Sequence, residues 1–74
     1  MNTMKYERYD ECYGRVTSRC RSGAFVELDN GESAFAYKYA NLVPGSKVIC
    51  SILKPAAENL RTMVSITTVL EYAA

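Results

Sequence analysis

The sequence predicts an all-β chain that closes into a small five-stranded barrel. Three observations predict it. Five stretches alternate their side chains with the period of two that marks a strand. They are punctuated by Ser22-Gly23, Asn30-Gly31 and Pro44-Gly45, dipeptides that favour bends and tight turns. A chain of 74 residues is a single small domain. Such a domain buries only about 60% of its unfolded surface. Five antiparallel strands in so short a chain avoid exposed edges best by closing on themselves.

Residues 1–12 show neither the helical nor the strand period and read as an N-terminal extension with a turn near Tyr6 to Asp10. Tyr6, Tyr9 and Tyr13 have the spacing of a packed stripe on a short helix. The barrel domain is expected over residues 13–70. Its first strand starts at Tyr13, with Val16, Ser18 and Cys20 inward and Arg15, Thr17, Arg19 and Arg21 toward water. Ser22-Gly23 bends the chain, as at a barrel corner. In the second strand Ala24, Val26 and Leu28 alternate with Phe25, Glu27 and Asp29. Asn30-Gly31 suits a two-residue hairpin turn, because both residues tolerate positive φ. Ala34 and Ala36 then alternate with Phe35 and Tyr37 on the return strand.

Lys38 to Val43 has too few β-branched residues for a strand and reads as one helical turn or an irregular crossing. Pro44-Gly45 is a type II turn signal. Lys47 to Lys54 is apolar on both faces and predicts a strand covered on both sides, or an edge packed by another segment. Pro55 to Asn59 is a loop. Leu60 to Leu70 is the last strand, with Thr62, Val64 and Ile66 inward. Residues 71–74 form a tail expected to fray.

Composition narrows the function. Apolar residues make up 49% and charged residues 23%, the balance of a folded globular chain. No apolar run approaches the roughly 18 residues of a membrane span. The N-terminus lacks the apolar core of a signal peptide, so a cytoplasmic protein with no membrane role is expected. Cys12, Cys20 and Cys50 are odd in number and irregularly spaced, and the chain has no histidine. That pattern fits reduced structural thiols, with neither a zinc site nor a disulfide framework. Without histidine the usual general base near neutral pH is missing. No metal set, phosphate-cradling loop or nucleophile with a base is visible, so neither an enzyme nor a cofactor is expected.

The net charge of +1 is weak, but it is unevenly placed. Between Tyr13 and Thr67 the bases Arg15, Arg19, Arg21, Lys38, Lys47, Lys54 and Arg61 outnumber the acids Glu27, Asp29, Glu32 and Glu58. The residue that points to function is Phe25. Its parity places a large aromatic on the water-facing side of its strand, beside Glu27 and Asp29, and such a residue marks a contact surface. Tyr37 shares that character, while Phe35 fits either core or surface.

A short element between the third and fourth strands is a feature of the oligonucleotide-binding (OB) barrel. An SH3-like barrel, the alternative, would need a long early loop where this chain has only Ser22-Gly23. Gly14-Arg-Val16, Ser22-Gly-Ala-Phe-Val-Glu-Leu28, Ala34-Phe-Ala-Tyr37, Val43-Pro-Gly-Ser-Lys-Val48 and Arg61-Thr-Met-Val-Ser65 together resemble the RNA-binding domain first described in ribosomal protein S-one. The resemblance runs from about Tyr13 to Ile66, and Gly-Ala-Phe-Val after Gly-x-Val is its most specific part. It implies an OB barrel holding single-stranded RNA across its second and third strands. Phe25 matches the family's stacking phenylalanine. Tyr37 stands where the family usually has histidine, and Arg61 lies near its basic residue ahead of the last strand. Two positions depart: Ser22 stands where a second phenylalanine is frequent, and Ala56 or Ala57 where the loop often carries an acid.

The residue reading leads to the same place. Rings offer bases a stacking surface worth about 1–3 kcal/mol each, and phosphates need fixed cations beside them. Phe25, Phe35 and Tyr37, with Arg15, Arg19, Arg21, Lys38 and Arg61, are the expected RNA-binding set. Single-stranded RNA is the expected partner, with single-stranded DNA or the translation machinery as variants of the same reading. A protein-interaction adaptor on the same scaffold is the alternative.

Overall fold

The computed structural model describes residues 5–73. Five strands follow one another, β1 (Glu11–Cys20), β2 (Gly23–Leu28), β3 (Ser33–Tyr37), β4 (Lys47–Lys54) and β5 (Thr62–Glu71), with no helix among the described residues. They close in the order β1-β2-β3-β5-β4, with β4 returning to β1. All pairings are antiparallel except β3 with β5, which is parallel. This is the five-stranded closed barrel of the OB type.

The inner wall follows the alternation. Ala24, Val26 and Leu28 of β2, Ala34 and Ala36 of β3, Val48, Cys50 and Ile52 of β4, and Val64 and Ile66 of β5 are all buried. Full burial of a side chain the size of Val16, Val48 or Ile52 stabilises by about 1.5–3 kcal/mol. Leu42 enters from the segment between β3 and β4 and joins this core. That segment is an irregular crossing, pinned where the Tyr39 hydroxyl donates to the Ile66 carbonyl at 3.1 Å. Gly45 takes φ 99° after Pro44, as a type II turn requires.

Several expectations are corrected. Ser18 and Cys20 are exposed, because the β1–β2 register shifts between Val16 and Ser18. The bulge at Thr17 adds one residue, so every later side chain of β1 changes face. β1 begins at Glu11, where Cys12 faces Cys50 directly across the ladder, and Cys12 is buried. The β2–β3 connection is a three-residue loop, Asp29 to Gly31. Leu28 N–H donates to the Glu32 carbonyl at 2.8 Å, Gly31 N–H to the Leu28 carbonyl at 2.9 Å, and only Gly31 has positive φ. That is a turn closed by a glycine bulge.

The tyrosine spacing does not produce a helix. Residues 7–10 form the expected turn, with Tyr9 at φ 74°. Tyr6 packs against the core, while Tyr9 and Tyr13 are exposed. The Tyr6 hydroxyl donates to Asp29 Oδ1, and that bond, with partial burial, holds the phenol pKa above its ordinary value. The C-terminal segment is also tied down. β5 continues to Glu71, and Ala73 N–H donates to the buried Ser46 hydroxyl at 3.1 Å.

All three cysteines are free thiols. Burial pushes the Cys12 thiol up to about 11 and the Cys50 thiol up to about 12. The exposed Cys20 is shifted down by its contact with the Ser22 hydroxyl. Because the thiolate is the nucleophile, alkylation of the native protein at pH 8 should modify Cys20 alone. Denaturant should release Cys12 and Cys50. Mass spectrometry checks this, and rapid native labelling of Cys50 would contradict a closed barrel.

Candidate nucleic-acid interface

The outer face of β2 and β3 carries the aromatic residues, while Ala24, Val26, Leu28, Ala34 and Ala36 face the core. Phe25 and Phe35 are direct cross-strand partners. Their ring centroids lie 5.1 Å apart with the planes tilted by 59°. A pair in that geometry contributes about 0.5–1.5 kcal/mol beyond its buried area. Both rings are half-buried, so the outward parity of Phe25 holds and Phe35 shares its face. Met63 of β5 pairs with Phe35 on the other side and extends the apolar surface.

Arg61 completes the cluster. Ala57 and Leu60 bond to each other in both directions, at 3.1 and 2.9 Å, and Asn59 takes a left-handed φ of 65°. This tight reversal ends just before β5. It sets the Arg61 guanidinium carbon 4.8 Å from the Phe25 ring centroid. A cation over an exposed ring contributes about 0.5–1 kcal/mol. Phe25 therefore meets Phe35 and an arginine.

Tyr37 is the open ring of the set, at 56% exposure. β3 ends there because Lys38 adopts φ 77° and donates its N–H to the Ser22 carbonyl at 2.9 Å. That bend brings Lys38 Nζ to 5.9 Å from the Tyr37 centroid. It also places the β1–β2 turn, with exposed Arg21, at the Tyr37 end of the platform.

The remaining basic residues are spread more widely. Arg15 sits one strand away, opposite Glu27, with its guanidinium 3.9 Å from that carboxylate. Both are well exposed, so the pair adds little stability. Arg19 is opposite Ala24, on the parity that leads inward, and is nonetheless exposed, near the end of β1. The residue beside Phe25 on β1 is Ser18, and the bulged Thr17 donates its hydroxyl to the Phe25 carbonyl at 3.3 Å. Phe25, Phe35, Tyr37, Lys38 and Arg61 are thus brought together. Arg15, Arg19 and Arg21 surround them at a distance.

One cleft adjoins this surface and another lies elsewhere on the barrel. The first, of about 460 Å³, opens beside Arg61 and is lined by Lys5, Glu32, Ser33, Ala56 and Thr62. The other, of about 280 Å³, lies across β1 and is lined among others by Tyr13, Arg15, Lys47 and Leu70. Sequence reasoning missed Met63, Glu32 and Thr62, because their place here depends on β3 lying parallel to β5.

No family model and no curated protein matches the chain. Among solved structures the chain is similar to the intact alpha subunit of aIF2 from Pyrococcus abyssi, with a TM-score of 0.69 and 22% identity. The match covers 84% of this chain and 29% of that subunit. At this identity the likeness establishes the fold.

The platform depends on the absence of a side chain at Gly23. A Cβ there would lie 2.3 Å from the Ala36 carbonyl oxygen and 2.7 Å from Phe35 Cζ. Gly23→Ala must therefore displace the Phe35 ring and part of β3. It should destabilise by about 1–3 kcal/mol, as overpacking does. Urea unfolding checks this, and an unchanged midpoint would show that Phe35 is not held over Gly23.

Proposed function

We propose that the protein is a non-catalytic, cytoplasmic single-stranded RNA-binding domain of the ribosomal protein S-one type. The observation that carries the reading is the outward-facing Phe25–Phe35–Tyr37 platform with Arg61 and Lys38 against its rings. Unpaired bases stack on rings, and adjacent cations hold the phosphates between them. Tyr37 is the first stacking surface, because its ring is open. Phe25 and Phe35 supply the floor, and Arg61 moves with or over the incoming base. Lys38 and Arg21 hold the strand at the Tyr37 end, with Arg15 and Arg19 as outlying cations. The likeness to the aIF2 alpha subunit supports an OB barrel as the carrier of such a surface.

A second reading, a protein-interaction adaptor, is favoured by one observation. Tyr13 and Leu70 are 62% and 51% exposed beside the cleft across β1. Salt separates the two. Phosphate binding weakens steeply as salt rises, whereas an apolar protein contact does not.

Fluorescence anisotropy with a labelled oligonucleotide at several salt concentrations tests the RNA reading. Tyr37→Ala should weaken binding by about 1–3 kcal/mol at every salt concentration. Arg61→Ala should weaken it too and reduce the salt slope by about 0.7, the contribution of one phosphate contact on a single strand. Arg19→Ala, on the other parity, should change the slope less. Folded Tyr37→Ala and Arg61→Ala variants that bind as well as the parent would remove the platform from the interface.

A further inference from the structure

The cleft beside Arg61 holds a carboxylate fixed in place by its own chain. Glu32 Oε1 accepts from Asn30 Nδ2 at 2.8 Å, and Oε2 accepts from the buried Thr62 hydroxyl at 2.9 Å. The Glu32 N–H donates to Asn30 Oδ1 at 2.9 Å, which locks the backbone to the same partner. A carboxylate has about four acceptor positions. Among the described residues each oxygen accepts one hydrogen bond, so about two of those positions remain for a ligand. The ion pairs among the described residues are Arg15–Glu27 and Lys47–Glu71; Glu32 is in neither, and Lys5 and Arg61 share the cleft lining with it. Glu32 is partly buried, its two oxygens are each held by a donor, and the residue lines a cleft of about 460 Å³. That volume lies within the usual range for small-ligand clefts, about 300–1,000 Å³.

The cleft is continuous with the platform. Ser33 lines it and lies two residues from Phe35, so both share the outer face of β3. Arg61 lines it while its guanidinium covers Phe25. A nucleotide in the cleft would have the aromatic platform on one side and the cations Arg61 and Lys5 at its edge.

We propose that this cleft reads a guanine base through Glu32, an inference that rests on the RNA-binding reading above. Two side-by-side carboxylate oxygens match two side-by-side N–H donors. The Watson–Crick edge of guanine presents that pair, N1–H and N2–H. Uracil presents a single N–H between two carbonyls. Adenine and cytosine each present an amino group beside a bare ring nitrogen, whose lone pair faces the second oxygen. Guanine therefore gains two charge-assisted bonds, and the other bases gain one bond or meet repulsion. The carboxylate is already clamped, so little ordering is needed when the base arrives.

The test uses the full chain and hexamers of uridine in which one central residue is replaced by guanosine, inosine, adenosine or cytidine. Binding is followed by fluorescence anisotropy. The guanosine hexamer should bind about 5- to 150-fold more tightly than hexauridine, the range of one bidentate base contact. Inosine lacks the N2 amino group and should lose most of that gain. Glu32→Gln should abolish the guanosine preference, so that the guanosine hexamer binds within about twofold of hexauridine. Equal binding of all the hexamers by the parent overturns the guanine assignment and leaves RNA binding standing. No binding of any hexamer at low salt overturns both. A folded Glu32→Gln variant that keeps the preference removes Glu32 from the assignment. If that variant does not fold, the comparison of guanosine with inosine in the parent decides.

Discussion

The interior of a five-stranded barrel is narrow, and that limit shapes the rest of this molecule. Three of the five inward residues on β2 and β3 are alanines, Ala24, Ala34 and Ala36, each with no exposed surface. The aromatic bulk of those two strands is outside, as Phe25, Phe35 and Tyr37. Aromatic residues on an outer face are costly to leave in water. This chain limits the exposure by setting Phe25 against Phe35 and covering it with Arg61.

That arrangement ties stability to recognition. Phe25 and Phe35 bury part of each other, so each contributes to the fold as well as to the surface. Tyr37 contributes less to the fold, being the most exposed of the three. Polar groups follow the same economy. Ser46 and Thr62 are buried, and each finds partners nearby: Ser46 donates to the Val43 carbonyl at 2.7 Å, and Thr62 donates to Glu32. The Thr62–Glu32 bond joins the start of β5 to the start of β3. The parallel pairing that closes the barrel thus also brings a donor to the Glu32 carboxylate, and both residues line the cleft.

Much of this was legible where alternation is strong. Ala24, Val26 and Leu28 point inward as their period says, and so do Thr62, Val64 and Ile66, whereas β4, apolar on both parities, did not reveal that Val48, Cys50 and Ile52 are the inward set. The limits of β4 also agree, since Pro55 ends a run that is apolar on both faces. Reading failed where the pattern carries no contrast. Thr17-Ser18-Arg19 is polar on both parities, so nothing in it reveals a bulge. The three tyrosines keep a helical spacing, but a left-handed Tyr9 breaks the chain between them. Long-range partners left the weakest trace. Glu32 and Thr62 are 30 residues apart and meet only because β5 inserts between β3 and β4. The resemblance placed Phe25 and Arg61 in one site, and the geometry supplies their contact.

The most direct test of the account is a titration of the isotope-labelled protein with hexauridine, followed by amide chemical shifts. The account predicts that the largest changes fall on residues 23–27, 33–38 and 61–63, the segments that carry the aromatic platform and Arg61. Changes confined to Tyr13, Ile49 and Leu70, or no change at low salt, would contradict it.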